Sequence, residues 1–226
     1  MNLSAQQKRL CEQIVNVFES GSPLGNYSAI SIYKDGPHNQ RQVTYGRSQT
    51  TEFGNLAELL EMYVKAEGIY SEALRPYLDR IEVTPLADDT LFLQLLRDAG
   101  RKDPLMRQTQ DDFFDRRYFI PAVTWADNNG FSLPLSALVI YDSFIHSGSI
   151  LNFLRKRFPE YPPAAGGDER TWITQYVDTR QEWLANHENR ILRKTVYRTG
   201  CFKNEISRDN WDLARLPINA NGFEIS

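Results

Sequence analysis

The sequence has few of the residues that bind metals or form disulfides. Its 226 residues include two cysteines, Cys11 and Cys201, and three histidines. Two cysteines this far apart are more typical of buried free thiols than of a disulfide framework. Because zinc sites usually need clustered cysteine or histidine ligands, we expect neither a metal site nor a bound cofactor.

Long apolar runs are also missing. No stretch approaches the roughly 20 apolar residues that a membrane-spanning helix needs. The first eight residues do not show the apolar run after a basic start that marks a secretory signal. We therefore expect no membrane insertion and a protein made without a cleaved signal.

The chain has no excess of positive charge. Its formal charge is −3 and its isoelectric point is near 5.7, whereas nucleic-acid-binding proteins are usually basic. We therefore expect no nucleic-acid partner. The 41% of apolar and 24% of charged residues are ordinary for a folded globular domain and argue against disorder.

The N-terminal segment has the pattern of an amphipathic helix from Ser4 to Phe18. Ser4 and Gln7 have the spacing of a capping box. Apolar residues then recur along one face of the predicted helix; they are Leu10, Cys11, Ile14, Val15 and Phe18. The turn-forming residues 20–25 predict that this helix ends near Glu19.

The next segments predict a β-hairpin followed mostly by helices. Residues 27–33 and 42–45 are rich in aromatic and β-branched residues, and the turn cluster 34–39 lies between them. Asn55 is predicted to cap a helix over 56–66. Further helical segments are expected near 70–80, 88–99, 105–128, 133–157 and 169–198. The pattern indicates an α+β fold, mainly α, with one small antiparallel sheet near the N-terminus.

Two carboxylates, Glu19 and Asp35, lie on either side of the first predicted strand. Glu19 is at the negative end of a helix, where the dipole disfavours a second negative charge, as suits a proton donor. Asp35 is in a hairpin loop, where solvent favours the ionised form that a general base needs. The simpler alternatives are a solvated residue at a helix end and an ordinary Asp-Gly turn.

Several short segments, in order along the chain, resemble glycoside hydrolase family 46, the chitosanases of the lysozyme superfamily. The matching segments are Phe18-Glu19-Ser20, Asp35-Gly36, Thr44-Tyr45-Gly46, Gly54-Asn55-Leu56, Tyr141-Asp142-Ser143, Gly166 to Glu169, Tyr176 to Arg180, Gly200-Cys201-Phe202 and Gly222-Phe223. The resemblance implies one catalytic domain over residues 1–226 with a two-lobed, lysozyme-like fold and a cleft between the lobes. The expected lobes are about 1–66 with the C-terminal segment, and 67–165.

The resemblance also implies roles for individual residues. Glu19 would be the acid and Asp35 the base of an inverting endo-hydrolase, in which a second carboxylate activates water. Thr44, or else Thr50 or Thr51, would hold that water. A buried ion network of Asp142, Arg180 and Arg190 would lie behind Glu19. The residues expected to contact substrate are Tyr27, Tyr45, Arg47, Gln49, Thr50 and Asn55, several of them in the polar run 45–51, whose alternative role is a solvated loop.

Asn55 bears on which amino-sugar polymer is cleaved. The family resemblance implies an aspartate there that pairs with the ammonium of glucosamine, and asparagine lacks its charge. We therefore slightly favour peptidoglycan over chitosan as the polysaccharide substrate. The enzyme would then be a lysozyme, either a cell-wall lytic lysin or a secreted antibacterial toxin. It would be made in the cytoplasm and act on cell wall in the periplasm or outside the cell, and an immunity or delivery protein is a candidate partner. A non-catalytic glycan- or protein-binding module is a further alternative.

Overall fold

A computed structural model describes residues 1–47 and 49–226. Ser48, part of the polar run 45–51, lies outside the described residues. The chain forms two compact units, which we describe separately. Unit 1 comprises Met1–Leu24 and Arg117–Ser226, and unit 2 comprises Gly25–Arg116. None of the described helices is long and apolar enough to span a membrane.

Along the chain, the first helix belongs to unit 1, the next elements belong to unit 2, and the remaining elements return to unit 1. The elements are α1 (Ala5–Ser20), β1 (Ile30–Tyr33), β2 (Gln42–Tyr45), β3 (Thr50–Thr51), α2 (Leu56–Lys65), α3 (Ser71–Leu74), α4 (Thr90–Lys102), α5 (Pro104–Phe114), α6 (Ile120–Asn128), α7 (Pro134–Ser147), α8 (Asn152–Arg155), α9 (Glu169–Ala185), α10 (Arg190–Arg193), α11 (Val196–Ser207), β4 (Ile218–Ala220) and β5 (Phe223–Ile225). A π-helical segment, Asp115–Phe119, joins α5 to α6. The prediction of a mainly helical α+β fold is confirmed.

Helix α1 forms as its sequence predicts. The Ser4 hydroxyl accepts from the Gln7 backbone N–H, and the Gln7 side chain accepts from the Ser4 N–H. The helix ends at Gly21, whose left-handed φ of 67° suits a residue without a Cβ, and whose N–H donates to the Val17 carbonyl. This termination places Glu19 in the last turn.

The core of unit 1 is built around Trp172 on α9. Its side chain is fully buried and lies in edge contact with Phe131 and Phe158, with ring centroids 4.9 and 5.3 Å away. Tyr176, one turn later on the same helix, stacks on it at 5.2 Å. Aromatic burial of this kind makes a large hydrophobic contribution to stability, and here it fixes the helix that also carries Arg180.

Unit 2 contains a three-stranded antiparallel sheet in the order β1-β2-β3. In this sheet Tyr33 is opposite Gln42, Ser31 is opposite Thr44, and Thr44 is opposite Thr51. Side chains alternate between the two faces of a strand. Gln42 and Thr44 therefore share one face of β2, and Val43 and Tyr45 share the other.

The opposite face of β2 packs into the core of unit 2. Val43 and Tyr45 belong to a buried cluster that includes α2, the chain around α3 and α4; its members from these later elements include Leu59, Leu60, Tyr63, Leu74, Phe92 and Leu96. The expected lobes, about 1–66 with the C-terminal segment and 67–165, differ from this division. Apolar residues of α3 and α4 belong to the same buried cluster as Val43 and Tyr45 of β2, and unit 2 contains them all.

Candidate active site

Glu19 is held in unit 1 by a hydrogen bond from a buried arginine. Its side chain is 26% exposed, and Nη2 of Arg198 on α11 donates to its Oε1 at 2.5 Å. The same Nη2 lies 3.3 Å from the Phe18 carbonyl oxygen, to which the Tyr197 hydroxyl also donates at 2.8 Å. These contacts fix the end of α1 against α11 and set the direction of the Glu19 carboxyl group.

Asp142 on α7 is the centre of the ion network behind Glu19. It is fully buried, and its two oxygens accept from two arginines. Nη1 of Arg198 donates to Oδ1 and Nη1 of Arg180 donates to Oδ2, each at 2.7 Å. Arg180 also donates to the Ser143 hydroxyl at 3.3 Å, and the Tyr176 hydroxyl donates to the same oxygen at 3.0 Å.

The charges of this network compensate one another. Burial would raise the pKa of Asp142, but Arg180 and Arg198 together hold it below its usual value. Burial would likewise lower the pKa of Arg198, and the charges of Asp142 and Glu19 hold it above its usual value. Buried ions persist when they are paired and hydrogen-bonded in this way. The network therefore stays charged and rigid behind Glu19.

The prediction that Arg190 belongs to this network is wrong. Arg190 is exposed at the start of the short helix α10, and Arg198 occupies the expected place. The signal for Arg198 was its spacing, because it falls on the buried face of α11 with Cys201, Phe202 and Glu205. An arginine on an otherwise buried helix face needs an internal acid partner.

His146 lies one turn after Asp142 on α7 and is half-buried. Burial, followed by the positive charges of Arg180 and Arg198, lowers its pKa to about 4 from 6.5. Between these values the unfolded chain binds a proton that the folded chain does not bind. We therefore expect the free energy of unfolding to fall as the pH is lowered from 6.5 to 4, by about 2 kcal/mol after discounting for its exposed part.

A His146→Gln variant should lose this part of the pH dependence. Urea unfolding of wild type and variant at pH 7 and pH 4.5 measures it, since Asp142 has a lowered pKa and titrates below this window. If the variant loses as much stability over this interval as wild type, the assignment to His146 is wrong.

In unit 2, Asp35 lies in the loop after β1 and is exposed, as the sequence indicates. Its Oδ1 accepts a hydrogen bond of 2.9 Å from the side-chain amide of Gln42. The loop continues through Gly36, whose N–H donates to the Gln40 carbonyl at 3.0 Å. The Asp35 carboxylate is therefore exposed to solvent, and one of its oxygens is bound to a residue of strand β2.

Thr44 is on the same face of β2 as Gln42. Its side chain is 5% exposed, and its Oγ1 is buried without a hydrogen-bond partner among the described residues. Buried hydroxyls are nearly always hydrogen-bonded. The hydroxyl of Thr50, by contrast, already donates to the Tyr45 carbonyl at 3.0 Å, and Thr51 is the strand partner of Thr44. Among the described residues, Thr44 therefore has a buried hydroxyl without a hydrogen-bond partner, whereas that of Thr50 is engaged.

Three of the expected sugar contacts are structural residues instead. Tyr45 is fully buried and its hydroxyl donates to the Leu96 carbonyl at 2.7 Å. Thr50 is buried at the start of β3, where its hydroxyl donates to the Tyr45 carbonyl. Arg47 is 4% exposed, pairs with Asp111 and lies over the Phe114 ring. The structure does not support the prediction that Tyr45, Thr50 and Arg47 contact substrate, because their polar groups are engaged within the chain and, unlike the Thr44 hydroxyl, are not left without a partner.

The other expected contacts are partly exposed. The Tyr27 hydroxyl donates to Asp111 at 2.9 Å, and the Gln49 amide donates to the Gly46 carbonyl at 3.0 Å. Asn55 precedes α2 as expected, but its side chain makes no capping hydrogen bond. Roles for Tyr27, Gln49 and Asn55 in substrate binding stay predictions.

The part of the chain that the structure describes contains no group of three or more His, Cys, Asp or Glu side chains placed to hold a metal ion. Cys11 and Cys201 are buried free thiols, and burial raises the pKa of each to about 12. These thiols are therefore protonated near neutral pH. Glu19 and Asp35 each offer a carboxyl group that accepts a hydrogen bond from a neighbouring side chain.

Comparison with known proteins agrees with this chemistry. The family model described as glycosyl hydrolase family 46 matches residues 13–218. A chitosanase of Bacillus subtilis (strain 168) is 29% identical over 240 residues, covering 98% of this chain and 84% of the relative. The crystal structure of an E19A mutant chitosanase from Bacillus subtilis MY002, complexed with 6 GlcN, is 25% identical and covers both chains completely, with a TM-score of 0.82.

A Gynuella sunshinyii GH46 chitosanase in complex with chitotetraose is 26% identical, with a TM-score of 0.74. It covers 99% of this chain and 98% of that one. The prediction of a lysozyme-like fold is therefore confirmed. The prediction that the protein is a glycoside hydrolase is also confirmed. The chain belongs to glycosyl hydrolase family 46.

Proposed function

We propose that this protein hydrolyses β-1,4 bonds of chitosan by inversion, with Glu19 as the proton donor and Asp35 as the general base. The observation that carries the proposal is the position of Glu19 at the end of the buried Arg198–Asp142–Arg180 network. A binding module has no need for a partly exposed carboxyl group oriented by buried charges. An inverting hydrolase needs one such group to protonate the leaving oxygen.

The network supports the acid role of Glu19 through orientation. Arg198 donates one hydrogen bond to Asp142 and another to Oε1 of Glu19, so it fixes one carboxyl oxygen of Glu19 against the buried network. The other oxygen is left to donate its proton to the glycosidic oxygen. A proton donor held in place in this way contributes about 10²–10⁴-fold to the rate.

Asp35 and Thr44 support the base role on unit 2. Asp35 is exposed and keeps one oxygen outside its hydrogen bond to Gln42. The Thr44 hydroxyl, buried and without a partner in the described chain, suits a water molecule that needs a second polar contact. In this proposal Asp35 removes a proton from that water as it attacks the anomeric carbon.

The comparisons favour chitosan over peptidoglycan, which the sequence had slightly favoured. The relative and the solved structures reported above are chitosanases, and none of them supports peptidoglycan or an immunity protein. Charge agrees, because unit 2 has fifteen Asp and Glu against eleven Lys and Arg, a net of −4, and unit 1 has a net of +1. An acidic unit attracts a polycation such as chitosan.

The test is the release of reducing ends from chitosan and from purified peptidoglycan by the wild-type chain. We expect release from chitosan. Release from peptidoglycan alone would overturn the substrate assignment and restore the lysozyme alternative. Release from neither polymer would favour a non-catalytic module.

The substitution Asn55→Asp should improve cleavage of fully deacetylated chitosan. A carboxylate at this partly exposed position can form a charge-assisted bond with a glucosamine ammonium, worth about 1.5–3 kcal/mol, so we expect kcat/KM to rise roughly 10- to 100-fold. Asn39→Asp, at an exposed position in the β1–β2 loop, is the matched control for added charge. An unchanged kcat/KM in the Asn55 variant would remove this residue from the specificity argument.

A further inference from the structure

Gln42 joins Asp35 to the sheet of unit 2 through both ends of its side-chain amide. Its Nε2 donates to Oδ1 of Asp35 at 2.9 Å, and its Oε1 accepts from the backbone N–H of Phe53 at 3.2 Å. The side chain is 5% exposed. A buried amide with both groups satisfied is held in one orientation.

That orientation is dictated by chemistry. A backbone N–H can only donate, so the carbonyl end of the amide must face Phe53. The NH₂ end is then left facing Asp35, where a carboxylate can only accept. Gln42 therefore meets Asp35 as a donor, and a charged acceptor makes this the stronger kind of hydrogen bond.

The strand that carries Gln42 is itself firmly anchored. Glu52 is fully buried; its Oε2 accepts from the Val43 N–H at 3.1 Å and its Oε1 from the Leu86 N–H at 2.8 Å. The Glu52 N–H returns a bond of 2.8 Å to the Val43 carbonyl. The backbone next to Gln42 is therefore held in place, whereas Asp35, to which Gln42 donates, is on an exposed loop.

We propose that Gln42 is a positioning residue for the general base. It holds Oδ1 of Asp35 and so directs the remaining oxygen, Oδ2, toward the attacking water. Thr44, two residues along on the same face of β2, lines that water's position from the strand. This proposal rests on the base role of Asp35 in the proposed function.

The charged side chains near Asp35 and Gln42 are exposed or paired with other groups. Lys34 is exposed, and Arg41 pairs with Asp88 at 2.8 Å. Glu52 is committed to two backbone N–H groups. His38, on the same loop, is exposed.

Gln42→Glu separates the two roles of the amide. Glutamate keeps an oxygen for the Phe53 N–H but cannot donate to Asp35 when ionised. Two carboxylates at hydrogen-bond distance share one proton at low pH and repel each other once both are ionised. At pH 8 we expect kcat on chitosan oligomers to fall roughly 100-fold with KM nearly unchanged, as for a misplaced catalytic group.

The distinguishing signature is rescue by acid. As the pH falls toward 5, the shared proton restores a donor to Asp35, so the kcat of the Glu variant relative to wild type should rise about tenfold or more. A merely structural Gln42 predicts a wild-type kcat in the Glu variant, or a loss that is the same at every pH. Either result would overturn the proposal.

A second variant keeps the test decisive if the Glu variant does not fold. Gln42→Met is neutral and of similar shape but donates nothing, so its kcat should fall with KM retained and no recovery at low pH. Full activity in this variant would also refute the positioning role. Asp35→Asn is assayed in parallel: if it cleaves chitosan like wild type, the proposed function fails whatever Gln42 does.

Discussion

Replacing Glu19 with Gln should lower kcat on chitosan about 10³-fold. Glutamine keeps the shape and can still accept from Arg198 at the Oε1 position, but it has no acidic proton for the leaving oxygen. The size of the effect follows from the usual contribution of a positioned general acid. Initial rates of reducing-end release, at saturating substrate, measure it.

The matched control for this variant is Glu12→Gln on the same helix. Glu12 lies about two turns before Glu19 and pairs with Lys8 at 3.6 Å, a partly exposed contact that is worth little. The control should retain wild-type kcat. If Glu19→Gln were to cleave chitosan at a rate within a few-fold of wild type, Glu19 would not be the proton donor.

Replacing Arg198 with Ala should destabilise the fold by about 3–5 kcal/mol. Arg198 is the partner of both Asp142 and Glu19, and removing it leaves a fully buried carboxylate with only Arg180. Breaking a buried ion pair on one side costs this much because the remaining charge is uncompensated. Denaturant unfolding monitored by tryptophan fluorescence gives the free energy of unfolding.

Arg190→Ala is the comparison for the Arg198 variant. Arg190 is exposed on α10, so its loss should change stability by no more than about 0.5 kcal/mol. Arg198→Lys should fall between the two, because lysine keeps the charge but cannot donate from two nitrogens at once. Equal effects at positions 190 and 198 would contradict the network as described.

The parts of the fold that the sequence predicted well depend on local signals. The capping box at Ser4, the apolar face of α1 and the turn at Gly21 all lie within a few residues of what they determine. The strand segment 42–45 was also found with the correct bounds. Glu19 and Asp35 could be proposed because their places at a helix end and in a hairpin loop follow from these elements.

The errors came from contacts between residues distant in sequence. The polar run predicts that Tyr45 contacts sugar. Side chains alternate along β2, however, so Tyr45 lies on the other face of the strand from Thr44, in the core. The sequence prediction places the second arginine of the Asp142 network, beside Arg180, at Arg190, although the spacing of Arg198 with Cys201, Phe202 and Glu205 favours a buried face for Arg198. Packing of α11 against α1, α7 and α9 decides between them, and a single sequence does not display that packing.

The central claim is tested most directly by the stereochemistry of the first product. Proton NMR of a chitosan oligomer, recorded within the first minutes of hydrolysis by the wild-type chain, resolves the anomeric protons before mutarotation mixes them. An acid at Glu19 and a base at Asp35 that activates water predict that the α-anomer appears first from the β-linked substrate. Appearance of the β-anomer first, or no product at all, would contradict the account.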